Sequence, residues 1–450
     1  MAEVIIKKLS LTFFNLIFFF SFTHNAKSLE IIRDIELENF TKEIIAILSG
    51  KEDESPEKIN IYFIKSNEVN AFVTGGQNIF INTELIIKAE DYREYAAVLA
   101  HEIAHIQGGH IFNTSLEINN LSNKAFPIYL LGIIGIITGA SEAGMAGVMV
   151  GQASVADSFT SYSRTQEASA DQAAVKLMCE NGIDATFLIT FLDKMENFDF
   201  RNISKTQNYR STHPLIENRK NWISNTIDYS LGCDHPNNQL LSDRFELVKA
   251  KIHGFTHPYD ETKAIYNSNT DKDLYATAVA NYFQGEHGKS VSSLKKLIRR
   301  NPKNPYYKEL LGEIYYANNN YEEATLLQKQ AIVEIEEVND LYLMILGNYL
   351  LSYENFEKSK ESINFLRKSI RINKNNAHSW YLLARAYADI GEIPLANYAT
   401  AERYFLIGEK KLSYDFASKA LKNIEENTPE WYRSYDLIEI LEKNTLLETE

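Results

Sequence analysis

The chain has 450 residues, 45% apolar and 24% charged, near the globular average, which excludes a wholly disordered, collagenous or multi-span membrane protein. Asp plus Glu total 60 against 46 Lys plus Arg, a net charge of −14 that speaks against a nucleic-acid partner. Two cysteines exclude a disulfide-stapled miniature fold and a four-cysteine metal site.

Lys7 and Lys8 precede an apolar run, LSLTFFNLIFFFSF, from Leu9 to Phe22, and Ala26-Lys27-Ser28 offers small residues for cleavage. That pattern predicts an export signal over 1–28, with a periplasmic mature protein starting near Leu29. In an oxidising compartment Cys179 and Cys233 have two readings, a disulfide or two buried thiols.

Ile31, Ile35, Phe40, Ile44 and Ile45 recur near helical spacing, so Leu29–Leu48 is expected to be an amphipathic helix. Ile59–Lys65 reads as a strand. Asn70–Ile86 reads as a hairpin turned by Gly75-Gly76, and its second strand (Ile79, Phe80, Ile81) is the expected substrate clamp. Asp91 caps a long apolar helix to His110, with Glu94 three residues on. The apolar, glycine-rich stretch 127–151 is read as a lid or a peripheral membrane contact, since nine apolar residues followed by Glu142 do not span a bilayer. A second helix is expected over 155–180, ending at Asn181-Gly182. From about Asp271 the chain turns to helix pairs. Gly312 and Gly347 lie 35 apart, and Trp380, Leu383, Ala384, Tyr387 and Ala396 fit the spacing of a tetratricopeptide repeat, as do Leu311, Gly312, Tyr315, Ala324 and Ala331.

The sharpest signal is His101-Glu102-Ile103-Ala104-His105. On a helix, positions i and i+4 share one face, so both imidazoles reach one zinc ion at about 2.0–2.1 Å. Glu102 stands beside them, placed to take a proton from the attacking water and return it to the leaving amine. A catalytic zinc needs a third protein ligand. A histidine six residues after His105 would serve, but Ile111 occupies that position; His110 is one residue early and reads as a structural histidine. Glu167 and Asp171, four apart on the later helix, supply the alternative: Glu167 ligates, and Asp171 holds the far nitrogen of a ligating histidine.

HExxH followed some sixty residues later by ExxxD resembles the gluzincin zinc proteases, in particular the BepA-type periplasmic proteases. The Asn-Ala-Phe and Gly-Gly hairpin at 70–76 and Ser211-Thr212-His213-Pro214 with Arg219 are similar to that family's segments. The resemblance implies an α+β, zincin-like metalloprotease domain with a small N-terminal sheet over 29–265, and an all-α repeat domain over 266–450. It implies a zinc (Zn2+) endopeptidase in outer-membrane protein quality control. Its partners would be unfolded or misassembled envelope proteins and, through the repeats, the outer-membrane assembly machinery. His213 then has three readings: oxyanion donor, occupant of zinc's open position, or loop histidine. Arg219 either orients His213 or pairs with Asp171. The rival function is a periplasmic chaperone or assembly scaffold with a silent or repressed metal site; an intact Glu102 favours the enzyme.

Overall fold

The computed structural model describes residues 30–50, 59–74, 77–110, 164–199, 213, 219–229, 233 and 235–447. The export segment 1–28 and the stretch 127–151 lie outside the described residues. Residues Ile31–Glu450 gather into one unit.

The chain opens with strand β1 (Glu30–Ile32) and helix α1 (Ile35–Ser49). This corrects the single helix expected from Leu29. Asp34 is extended and its carboxylate accepts from the Leu37 N–H, so the helix cannot begin before it. β2 (Asn60–Lys65), β3 (Ala71–Thr74) and β4 (Asn78–Asn82) complete a sheet of order β1-β2-β4-β3. β3 pairs antiparallel with β4, with Phe72 opposite Phe80, as the hairpin requires. β4 also pairs in parallel with β2, Ile61 opposite Ile79 and Phe63 opposite Ile81. The clamp expected at Ile79, Phe80 and Ile81 is therefore corrected. Both edges of β4 are already hydrogen-bonded, and among the described residues the outer strand on that side is β3.

α2 (Thr83–Lys88) leads into α3 (Tyr92–Gln107), where Asp91 accepts from the Arg93 N–H at 2.9 Å. Glu94 reaches back one residue further than a capping box, accepting from the Glu90 N–H at 2.8 Å. α3 is buried nearly all round, which its run of Ala, Val, Leu and Ile requires. α4 (Arg164–Glu180) lies across it, followed by α5 (Thr186–Asp199), α6 (Arg219–Tyr229), α7 (Gln239–Thr256) and α8 (Tyr259–Ile265). Cys179 at the end of α4 is bonded to Cys233, which settles the thiol question in favour of the disulfide; closing a loop of 54 residues typically contributes about 2–4 kcal/mol.

Ten helices complete the chain: α9 (Asp271–Phe283), α10 (His287–Arg300), α11 (Pro305–Ala317), α12 (Tyr321–Glu334), α13 (Asp340–Leu351), α14 (Phe356–Ile372), α15 (Ala377–Asp389), α16 (Ile393–Leu406), α17 (Lys410–Leu421) and α18 (Pro429–Leu447). Each packs on the next, as tetratricopeptide repeats do. The small positions mark the crossings: a Cβ on Gly347 would sit 2.7 Å from Leu366 of the paired helix. One contact recurs across pairs. Ser290 donates to the Ala278 carbonyl at 2.7 Å, Ser362 to Gly347 at 2.9 Å and Ser413 to Ala401 at 3.0 Å.

α1 connects the repeats to the sheet and α3. At its start Lys251 pairs with Asp34 at 2.6 Å, and Tyr275 of α9 donates to Glu36 at 2.7 Å. Further along, Thr41 bonds the Tyr95 hydroxyl of α3 at 2.8 Å, and Phe40, Tyr95 and Phe245 stack against one another. Such aromatic pairs contribute about 0.5–1.5 kcal/mol each beyond area burial. Tyr95 lies six residues before His101, so this packing fixes the helix that carries the site.

Candidate metal centre

Helix α3 presents His101, Glu102 and His105, each at most 1% exposed. Helix α4 brings Glu167 and Asp171 to the same point, and the loop residue His213, fully buried, closes it. His101, His105, Glu167 and His213 each offer one donor atom, all within 4.8 Å of one another. His101 Nε2 lies 3.0 Å from His105 Nε2 and 3.3 Å from His213 Nδ1. Glu167 Oε1 lies 3.3 Å from His105 Nε2 and 3.1 Å from His213 Nδ1. Three imidazole nitrogens and a carboxylate oxygen aimed at one point make a donor set that suits tetrahedral zinc.

The groups behind the donors fix their aim. Asp171 Oδ1 stands 3.0 Å from His101 Nδ1, leaving Nε2 to face the donor cluster. Arg219 grips Asp171 with two bonds, Nε to Oδ2 at 2.7 Å and Nη2 to Oδ1 at 2.7 Å, and its Nη1 lies 2.9 Å from Glu167 Oε2. Of its two expected roles, the geometry gives the pairing with Asp171 and adds Glu167. Behind His105, the His110 ring places Nδ1 2.8 Å from His105 Nδ1.

The electrostatics are those of a site built for a cation. Burial opposes a charge on His101, yet Glu167 and Asp171 outweigh it and raise its pKa to about 10. Burial, together with the charges of His101 and His213, pushes His105 down to about 3 despite the facing Glu167. Glu167 is held well below the carboxylate range because His213 and His101 overcome its burial. Asp171 is lowered too, its bonds to His101 and Arg219 outweighing desolvation. Burial raises Glu102, with His213 and His101 opposing. Both Glu102 carboxylate oxygens are buried without a hydrogen-bond partner among the described residues, and the nearest cationic candidate, His213 Nε2, stands 3.4 Å from Oε1. An orphaned carboxylate beside four converging donors fits zinc together with a reacting water.

Residues 33–227 match the model of Peptidase family M48. That match spans β2, β3, β4, α3, α4 and all four donors of the cluster. With the buried ligand cluster, that makes it a zinc metalloendopeptidase. It is similar to the beta-barrel assembly-enhancing protease of Escherichia coli strain K12, at 24% identity over 81% of this chain and 75% of the relative. The protein of the same name from Yersinia pestis is 25% identical over 84% of this chain and 77% of the relative. Among solved structures, the TPR protein YrrB aligns with 42% of this chain and 95% of its own at 15% identity and TM-score 0.31.

The paired spacings are legible in the sequence, but two features are not. His110 was set aside as structural, and its place beside His105 depends on a turn no pattern encodes. The outward position of β3 depends on β2 joining from further up the chain. A partial signal was present: Ile79, Phe80 and Ile81 follow one another with no polar residue between them, as in strands buried on both faces. Among the other histidines, His235 Nε2 meets the Cys179 carbonyl at 2.8 Å and His253 meets Thr262 at 3.2 Å, both away from the zinc site.

Proposed function

We propose that this chain is an exported endopeptidase that cuts misfolded or stalled polypeptides of the cell envelope, restrained at rest by His213. The observation that carries the reading is the convergence of His101, His105, Glu167 and His213 beside an unbonded, buried Glu102.

His101, His105 and Glu167 hold the metal in this reading. Zinc held there supplies a Lewis acid that polarises the scissile carbonyl and makes water nucleophilic at neutral pH. Glu102 takes the proton from the water as its oxygen bonds to the carbonyl carbon, and burial brings its basicity toward that task. When the C–N bond breaks, the same carboxyl group returns the proton to the departing nitrogen. Asp171 and Arg219 keep His101 and Glu167 from turning. An extended substrate is held by main-chain bonds to the outer edge of β3.

His213 stands in both places the substrate needs. Its Nδ1 joins the donor cluster, and its Nε2 bonds the Ala71 carbonyl on β3 at 3.3 Å. In this arrangement it fills the fourth position and covers the start of the strand edge, a resting state that a client must displace. The same observation favours the second reading, a chaperone or scaffold whose metal site stays repressed.

The likeness to beta-barrel assembly-enhancing proteases supports placing the substrates among outer-membrane β-barrel proteins and their assembly machinery. In this reading the repeats select the client and the leader at 1–28 delivers the chain to the periplasm. Among the described residues no helix is long and apolar enough to cross a membrane. Purified mature protein tested for zinc-dependent cleavage of an unfolded β-barrel protein tests the reading. Cleavage abolished by chelation and restored by zinc is expected, and a chelation-insensitive activity would contradict it.

A further inference from the structure

His110 lies outside the four-donor group yet touches one member of it directly. Its Nδ1 is 2.8 Å from His105 Nδ1, both rings are buried, and their planes cross at 73° with centroids 5.0 Å apart. A histidine that binds metal through Nε2 must carry its proton on Nδ1, and an N–H at that distance needs an acceptor. His105 Nε2 is the atom that faces His101 and Glu167. We propose that His110 is the positioning residue of the ligand His105, its Nδ1 accepting the His105 Nδ1 proton and so fixing the tautomer and the ring angle. This rests on the assignment of His105 as a zinc ligand above. It makes the two histidines of α3 a matched pair, one held by Asp171 and the other by His110.

The local chain is built to place that ring. α3 stops at Gly108, whose backbone N–H bonds the Ala104 carbonyl at 2.9 Å, and Gly109 takes φ 62°, a left-handed turn that brings the next residue back. A Cβ at Gly108 would lie 2.6 Å from His110 Nε2, so a larger residue there would displace the imidazole. The His110 carbonyl accepts from Gln166 Nε2 at 3.4 Å, and Gln166 is the neighbour of Glu167. The one residue thus braces a ligand on α3 through its ring and adjoins a ligand on α4 through its backbone. A histidine that merely fills space needs neither a nitrogen facing His105 nor a glycine made to fit it.

His110→Leu and His110→Asn have nearly the same shape, but only Asn offers an acceptor. Full-length mature protein is stripped of metal, and zinc affinity is measured by competition with a chromophoric chelator, alongside melting of the metal-free form. Outer-sphere partners of this kind change metal affinity about 10–100-fold. The expectation is a loss of that size for His110→Leu, recovery of most of it in His110→Asn, and similar metal-free melting of the two. Equal zinc affinity in both variants would overturn the proposal while leaving the zinc site intact; absence of zinc from the wild type would instead remove the reading beneath it. A second measurement needs no variant. Long-range nitrogen–proton correlation on histidine-labelled zinc protein should find His105 protonated at Nδ1 and His110 at Nε2 only. A proton on His110 Nδ1 would overturn the proposal even if the Leu variant did not fold.

Discussion

His213 Nε2 lies 3.3 Å from the carbonyl oxygen of Ala71, the first residue of the outer strand β3. One imidazole thereby touches the sheet edge and, through Nδ1, the metal donors. In the proposed resting state, a residue in both places would obstruct the substrate. His213→Ala should therefore raise basal proteolysis several-fold and leave zinc content unchanged, read by casein cleavage and metal analysis. A fall in kcat at constant KM would assign the residue to the transition state instead.

The edge itself can be tested without breaking the sheet. Asn70 offers its carbonyl inward, to the Asn82 N–H at 2.9 Å, while Ala71 offers its own outward to His213. Backbone direction alternates along a strand, so the Val73 N–H also faces outward. Proline is tolerated on such an outer N–H. Val73→Pro should raise KM for polypeptides more than Val73→Ala does, with zinc content unchanged; Val73 is buried in the core, so both variants melt lower than wild type. Unaltered KM in a folded variant would rule out strand pairing at β3.

Arg219 is 1% exposed and balances two carboxylates, Asp171 and Glu167. Removing one partner of a buried pair typically costs about 3–5 kcal/mol. Arg219→Met should lower stability by about that amount in metal-free protein and weaken zinc binding. Arg219→Lys should not rescue it, because an ammonium cannot reproduce the two-pronged grip on Asp171. Wild-type stability in the Met variant would show that the pair contributes nothing.

Away from the zinc site, His253 gives a pH signature. It is 4% exposed, stacks on His257 and meets Thr262. Burial, with the nearby His257 and Lys88 charges, lowers its pKa to about 4. The folded protein then binds fewer protons than the unfolded chain between about pH 6.5 and 4. That stability contribution is complete above the upper value and is lost as pH falls through the window, on the order of 2–3 kcal/mol in full. His253→Gln should flatten the fall in melting temperature over that interval. The same slope in wild type and variant would refute the assignment.

The proposed zinc ligands are legible because their geometry is local. His101 with His105, and Glu167 with Asp171, are each read from one helical turn, and burial of the surrounding Ala, Val and Leu demands that such polar groups be used. The repeats are legible for the same reason: Gly312, Gly347 and Ala384 hold the small position of successive helix pairs, recurring with the chain period. The clamp strand was misplaced because sheet order depends on a partner, Asn60–Lys65, whose identity the hairpin residues do not encode; their apolar run marks only an interior strand. The first helix was extended too far because Ile31 and Ile32 fit a helical stripe and a buried strand equally well. His110 was undervalued because its role depends on the left-handed turn at Gly109, which places it behind His105.

The central claim is that His101, His105 and Glu167 hold zinc while Glu102 moves the proton. The most direct measurement is zinc content and peptide cleavage of Glu102→Gln beside His105→Ala, made in the mature full-length protein. Glu102→Gln should keep wild-type zinc and lose at least about 100-fold in turnover, and His105→Ala should lose both. Cleavage at the wild-type rate by Glu102→Gln, or full zinc occupancy in His105→Ala, would contradict the account.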